Sequence, residues 1–186
     1  MSETYVALLY SIGVGEGRRL IMADWRSMMA DLGFQNPRTL IATGNGIFES
    51  RGATVRELEI QLEDAFERRF GRRVDTIVCT AACFHRLAAS NPFPRESERD
   101  GSRVVVRIMR KPIDDDSTTA LKRYLTQGER PREVQGNLWV CFENDPSRSR
   151  IMSVLASKRL GIGTVRNWNT IRRINEMLEL NCSPDW

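Results

Sequence analysis

The chain has 186 residues, of which 41% are hydrophobic and 28% are charged, with a formal net charge of +4. These fractions are those of an ordinary soluble globular protein. No stretch approaches the ~20 apolar residues that span a bilayer, and the N-terminus lacks a signal-peptide pattern, so we expect no membrane contact.

The four cysteines are Cys79, Cys83, Cys141 and Cys182, and the single histidine is His85. They lack the paired spacings of a zinc site, so we expect neither a metal nor another cofactor. Cys79 and Cys141 lie in apolar runs, where a free cysteine behaves as a small hydrophobic residue. Four reduced thiols are therefore predicted, which favours a reducing, cytoplasmic location. His85 and Cys83 are two residues apart and point away from each other on a helix, so they do not form a catalytic pair.

The first half of the chain predicts the element order βαββαβ, followed by a short helix. The clearest element is a helix at 54–70, where Thr54 and Glu57 form a capping box and Gly71 ends the helix. The charged face of this helix, which includes Glu59 and Glu63, is predicted to be solvated. The predicted elements are strands at 5–10, 38–42, 46–48 and 74–79 and helices at 22–32, 54–70 and 81–89. This is the order of the ferredoxin-like, or split-βαβ, fold.

The polar segment 91–102 contains Pro92 and Pro94 and is predicted to be a linker. The second half then repeats the order, with strands at 103–109, 132–135, 138–142 and 163–165 and helices at 116–125, 149–160 and 168–180. We therefore predict an α+β protein of two tandem ferredoxin-like subdomains with antiparallel sheets, at 1–90 and 103–186, the second followed by a C-terminal helix.

Several stretches resemble one bacterial family. They are YVALL at 5–9, MADWRSMMADLGFQNPRT at 22–39, TGN at 43–45, NPF at 91–93, RSRIM at 148–152 and RNWNTI at 166–171. Together they resemble the uncharacterised family called domain of unknown function 1697 (DUF1697). The resemblance covers nearly the whole chain and implies a duplicated ferredoxin-like topology, but no activity. Relatives usually carry an Arg and an Asn in the first glycine-rich loop that this chain lacks, and a Ser where this chain has Thr43.

The positive charge is unevenly distributed. Residues 146–175 contain seven Arg or Lys and no Asp or Glu. Such a one-sided field attracts anionic partners. Arg148 and Arg150 stand at the start of the predicted helix 149–160, where cations are unfavourable and an anion is favourable. A bound anion would relieve the repulsion; the alternative is two solvated arginines that tolerate a small energetic cost.

Three further groups of residues belong to the predicted site. Arg18 and Arg19 follow a loop with three glycines, whose spacing matches no known phosphate-binding motif, so a flexible connection is the favoured alternative. The predicted hairpin contributes Thr43 and Asn45. Trp168 has the spacing of a buried helix residue. Its polar neighbours Arg166, Asn167 and Asn169 are able to line a cleft, and either Asn167 or Asn169 fits as the helix N-cap. The predicted ligand-binding residues are Arg18, Arg19, Thr43, Asn45, Arg148, Arg150, Arg166, Asn167 and Asn169.

These observations favour a binding module for a phosphate-bearing ligand or other anion in a cleft between the subdomains. Two alternatives stay open. One is an enzyme acting on a small anionic substrate at the same cleft, although no catalytic set of residues is evident. The other is an oligomeric assembly protein. Nucleic acid is a less favoured partner, because the predicted strands carry few aromatic residues on which bases stack. The sequence leaves the ligand, the existence of an activity and the oligomeric state open.

Overall fold

The computed structural model describes residues 2–10, 20–40 and 44–180. Its strands and α-helices alternate in a pattern that occurs twice. In chain order they are β1 (Glu3–Leu9), α1 (Met22–Asp31), β2 (Gln35–Leu40), β3 (Asn45–Ser50), α2 (Val55–Phe70), β4 (Thr76–Thr80), α3 (Ala81–Ala89), α4 (Pro94–Arg99), β5 (Val104–Met109), α5 (Asp115–Leu121), β6 (Glu129–Val134), β7 (Asn137–Phe142), α6 (Arg150–Leu155), β8 (Gly163–Asn167) and α7 (Trp168–Glu179). Within the described ranges, no helix is long and apolar enough to cross a membrane.

The chain forms two compact units, one of Met1–His85 with Met177–Trp186 and one of Arg86–Glu176. Each contains a four-stranded sheet, in the order β2-β3-β1-β4 in the first and β6-β7-β5-β8 in the second. All neighbouring strands are antiparallel. The predicted α+β class with two similar antiparallel halves is thereby confirmed. The predicted linker 91–102 contains helix α4, and the predicted subdomain bounds remain a prediction.

The first unit packs α1 and α2 on one face of its sheet. Helix α2 begins at the predicted capping box of Thr54 and Glu57 and ends at Gly71, whose φ of 72° suits glycine. Trp25 of α1 is fully buried against β3, where a Cβ added to Gly46 would come within 2.8 Å of the indole ring. Only glycine therefore fits at position 46 without displacing the indole.

The prediction of a solvated charged face on α2 is wrong at Glu59 and Glu63, which are each only 2% exposed. Strand β4 is an edge strand, and alternate backbone N–H groups on it point away from the sheet. The Glu63 carboxylate accepts a hydrogen bond from the N–H of Thr76 (3.1 Å), and that of Glu59 accepts one from the N–H of Val78 (3.3 Å). The two acids therefore take the place of a missing fifth strand.

The predicted helix 149–160 is shorter in the structure. Helix α6 ends at Leu155, and a separate 3₁₀ turn covers Lys158–Leu160. Fully buried Arg107 on β5 donates to the carbonyl oxygens of Leu155 and Gly161. In a continuous helix the Leu155 carbonyl would accept from the N–H of Arg159, which bonds instead to the Ser157 hydroxyl at 3.3 Å. Arg107 thus supplies a hydrogen-bond donor to the last carbonyl group of α6.

Candidate functional site

A pocket of about 300 Å³ lies in the second unit. It forms where the segment before β6, the end of β7 and the start of α6 meet. The residues that line it are Thr126, Gly128, Glu129, Phe142, Asn144, Asp145, Arg148, Ser149 and Arg150. Two of the predicted ligand-binding residues, Arg148 and Arg150, are therefore brought together here.

The two carboxylates of the pocket are already hydrogen-bonded within the chain. Glu129 accepts from the Ser149 hydroxyl (2.5 Å), the Thr126 N–H (2.5 Å) and the Thr126 hydroxyl (2.6 Å). Burial raises the pKa of Glu129, but these hydrogen bonds outweigh it and hold the pKa below its usual 4.5. The N–H of Ser147 donates to Asp145 (2.9 Å), and this bond, with the charge of Arg148, lowers the pKa of Asp145. Both acids are thus stabilised as anions.

The two arginines of the pocket differ from these acids. Arg148 and Arg150 are exposed, and neither guanidinium makes a hydrogen bond or ion pair with another described residue. Arg148 lies in a 3₁₀ turn, Pro146–Arg148, and Arg150 is the first residue of α6. The two acids and two arginines of the pocket give it a formal charge of zero. The acids are already hydrogen-bonded, however, so the charged groups that are available to a ligand are the two guanidinium groups. The argument from the dipole of a long helix loses its basis, because α6 has only six residues.

The other predicted residues of the second unit do not line this pocket. Arg166 lies within β8 and is 7% exposed; its Nη1 donates to the Thr164 hydroxyl (2.7 Å), and burial lowers its pKa to about 10. The Asn167 side chain accepts from the N–H of Thr170 (3.0 Å) and so caps α7. Asn169 packs on Gly101, where an added Cβ would come within 2.5 Å of Asn169 Oδ1. All three side chains have structural contacts.

The predicted residues of the first unit are only partly described. Arg18, Arg19 and Thr43 lie outside the described residues. Asn45 begins β3 and is 1% exposed, and its Nδ2 donates to the Leu40 carbonyl (3.0 Å) across the β2–β3 hairpin. This bond links the start of β3 to the end of β2, and the predicted ligand role of Asn45 stays a prediction.

The chemistry of the pocket suits binding better than catalysis. A serine hydroxyl that donates to a carboxylate, as Ser149 does to Glu129, is also found in activated nucleophiles. Here the lowered pKa makes Glu129 a weak base, and the Ser149 hydroxyl also accepts from the N–H of Ile151 (3.3 Å) to cap α6. Among residues 2–10, 20–40 and 44–180, no three His, Cys, Asp or Glu side chains are grouped to hold a metal ion.

Sequence reasoning missed the acids and amides of the pocket. Thr126 and Glu129 precede Arg148 by about twenty residues; Glu129 begins β6, and Thr126 lies in the segment before it. Asp145 directly precedes the acid-free segment 146–175 and Glu129 lies further upstream, so the count of charges along that segment overstated the local positive charge. No motif marks these positions, because they meet only through a tertiary contact, the hydrogen bond between Glu129 at the start of β6 and Ser149 at the N-cap of α6.

The profile of a family described as protein of unknown function (DUF1697) matches residues 2–139. The chain belongs to this family. A solved structure of a conserved bacterial protein from Streptococcus pneumoniae is similar to this DUF1697 protein over 96% of this chain and 99% of that one, with a TM-score of 0.74 and 23% sequence identity. At that identity the likeness shows a shared fold. Comparison with curated proteins gave no match.

Proposed function

We propose that this DUF1697 protein binds a small ligand carrying a phosphate or another anionic group in the pocket at the start of α6. One observation carries the proposal. Both carboxylates of the pocket are occupied by hydrogen bonds from the chain, whereas Arg148 and Arg150 are not. A ligand entering the pocket therefore finds free cationic donors and no free acid.

The dimensions of the pocket favour a small molecule over a nucleic acid. A volume of about 300 Å³ is at the lower end of the range found for ligand sites, ~300–1,000 Å³. The only aromatic lining residue is Phe142, which is 3% exposed and presents little surface for base stacking. Sugar phosphates and mononucleotides match the size and charge.

Ligand-dependent stabilisation tests the proposal. A ligand that binds only the folded state at ten times its Kd adds about 1.4 kcal/mol of stability. For a chain of this length that raises the melting temperature by roughly 3–6 °C. The measurement is thermal unfolding with inorganic phosphate, sulfate and sugar phosphates, each balanced with sodium chloride to constant ionic strength.

Matched double variants identify the site. Arg148→Gln/Arg150→Gln should abolish the stabilisation. Arg172→Gln/Arg173→Gln removes the same charge from an exposed face of α7 and should keep it. If the two double variants respond alike, the response comes from the general positive charge and the pocket is not the site.

We also propose the ferredoxin-like classification for both halves. Its support is the element order β-α-β-β-α-β together with the sheet order, which places the first and third strands of each half in the centre. The cytoplasmic location remains a prediction.

A further inference from the structure

Arg38 on β2 carries two buried donor atoms that the described residues leave without a partner. Its Nη1 donates to the carbonyl oxygen of Met177 (3.2 Å), while Nε and Nη2 are shielded from solvent and make no hydrogen bond. Buried polar groups in folded proteins are nearly always hydrogen-bonded, and burial of an unpaired charged donor is especially unfavourable. Two such atoms on one guanidinium indicate a partner that the chain itself does not supply.

The two atoms lie on the same edge of the guanidinium. Nε–H and Nη2–H project side by side, which is the arrangement that binds two oxygens of a carboxylate or phosphate at once. The third nitrogen is anchored, because Met177 lies in the last turn of α7, where the free carbonyl groups attract a cation. This hydrogen bond restrains the guanidinium at Nη1 and leaves the Nε–Nη2 edge unpaired.

The surroundings of Arg38 strengthen its attraction for an anion. Arg38 pairs with Ile47, which pairs in turn with Val6, and both of these apolar residues are buried. Charge-assisted hydrogen bonds are stronger in such an apolar environment than in water. Glu49, two residues from Ile47 on β3, accepts from Asn36 (3.0 Å) and Ser2 (3.4 Å) and does not pair with Arg38.

We propose that Arg38 is an anion-binding residue that takes a carboxylate or phosphate group through Nε and Nη2. The Arg38 side chain as a whole is half-buried although Nε and Nη2 are shielded from solvent, so a small anion reaches these two atoms once the side chains that cover them move aside. This site lies in the first unit and uses none of the residues of the pocket at Arg148 and Arg150.

Nuclear magnetic resonance of the Nε–H groups tests this directly. The Arg38 signal of the ¹⁵N-labelled protein is assigned by its disappearance in Arg38→Lys, or in Arg38→Gln if the lysine variant does not fold. Sodium acetate and sodium phosphate are then titrated separately into the parent protein, with sodium chloride keeping the ionic strength constant. We expect a saturable shift of the Arg38 Nε–H signal with at least one of the two anions, and comparing them shows whether carboxylate or phosphate is preferred.

Two variants complete the test. Arg38→Lys keeps the charge but loses the two-pronged edge, so its affinity, followed at the backbone amide of Thr39, should fall about tenfold or more. Arg148→Gln/Arg150→Gln should leave the Arg38 shift unchanged, which separates this site from the proposed pocket. If the Arg38 signal moves no further with acetate or phosphate than with chloride, Arg38 is not an anion-binding residue.

Discussion

Two replacements of Glu63 separate the contribution of its hydrogen bond to the free energy of unfolding from the contribution of its charge. Glu63→Leu removes the carboxylate that accepts from the buried Thr76 N–H at 3.1 Å, whereas Glu63→Gln removes the charge and keeps an acceptor oxygen. A buried donor left without a partner costs about 1–3 kcal/mol. The ion pair with Arg73, whose side chain is 48% exposed, is lost in both variants and adds little. We therefore expect the leucine variant to be less stable than the glutamine variant by about 2 kcal/mol.

In a chain of this length, that difference lowers the melting temperature by roughly 4–8 °C. Leucine buries additional apolar surface, so the measured difference is a lower bound on the value of the hydrogen bond. Urea unfolding gives the free energies, and amide hydrogen exchange at Thr76 reports the lost contact directly. Glu67→Leu is the control, because Glu67 is exposed and its carboxylate also pairs with Arg73 (3.1 Å). Equal stability of the leucine and glutamine variants, with unchanged exchange at Thr76, would refute the role assigned to Glu63.

Two further predictions concern the second unit. Gly101→Ala should destabilise it by about 1–3 kcal/mol in thermal or urea unfolding, because the new Cβ would come within 2.5 Å of Asn169 Oδ1; an unchanged midpoint would contradict this. The pKa of Glu129 is lower in the folded state than in the unfolded chain, so its contribution to stability is present above about pH 4.5 and is lost as the pH falls through the folded pKa. The stability difference between the parent and Glu129→Gln should therefore shrink between about pH 6 and pH 3, and a difference independent of pH would show that the Glu129 charge is not responsible.

The sequence by itself determined the elements whose signals are local. Helix α2 has its capping box, its apolar spacing and its terminal glycine within 18 residues, at Thr54–Gly71. Interactions between residues close in sequence are therefore sufficient to predict it. The order of strands and helices followed from similar local patterns, and with it the α+β class. Family membership was predicted from short stretches that resemble the family, and the profile match confirmed it.

The sequence was insufficient where distant residues meet. Helix α6 ends at Leu155, whose carbonyl accepts a hydrogen bond from Arg107, 48 residues earlier in the chain. Glu59 and Glu63 look like solvated helix residues until β4 presents its unpaired N–H groups to them. The same limit applies to the candidate site, where Glu129 on β6 joins Ser149 at the start of α6.

Only the tertiary structure decided which charged groups are free to bind a ligand. A carboxylate or guanidinium is available when no other part of the chain has already paired with it, and that depends on contacts between residues far apart in sequence. The sequence does not distinguish Arg148, Arg150 and Arg166, which all lie in the basic segment 146–175. The fold buries Arg166 in β8 and leaves the other two exposed beside a pocket. Burial removes the water that would otherwise solvate a charge. Packing therefore makes Arg166 a structural residue and leaves Arg148 and Arg150 as candidate ligand-binding residues.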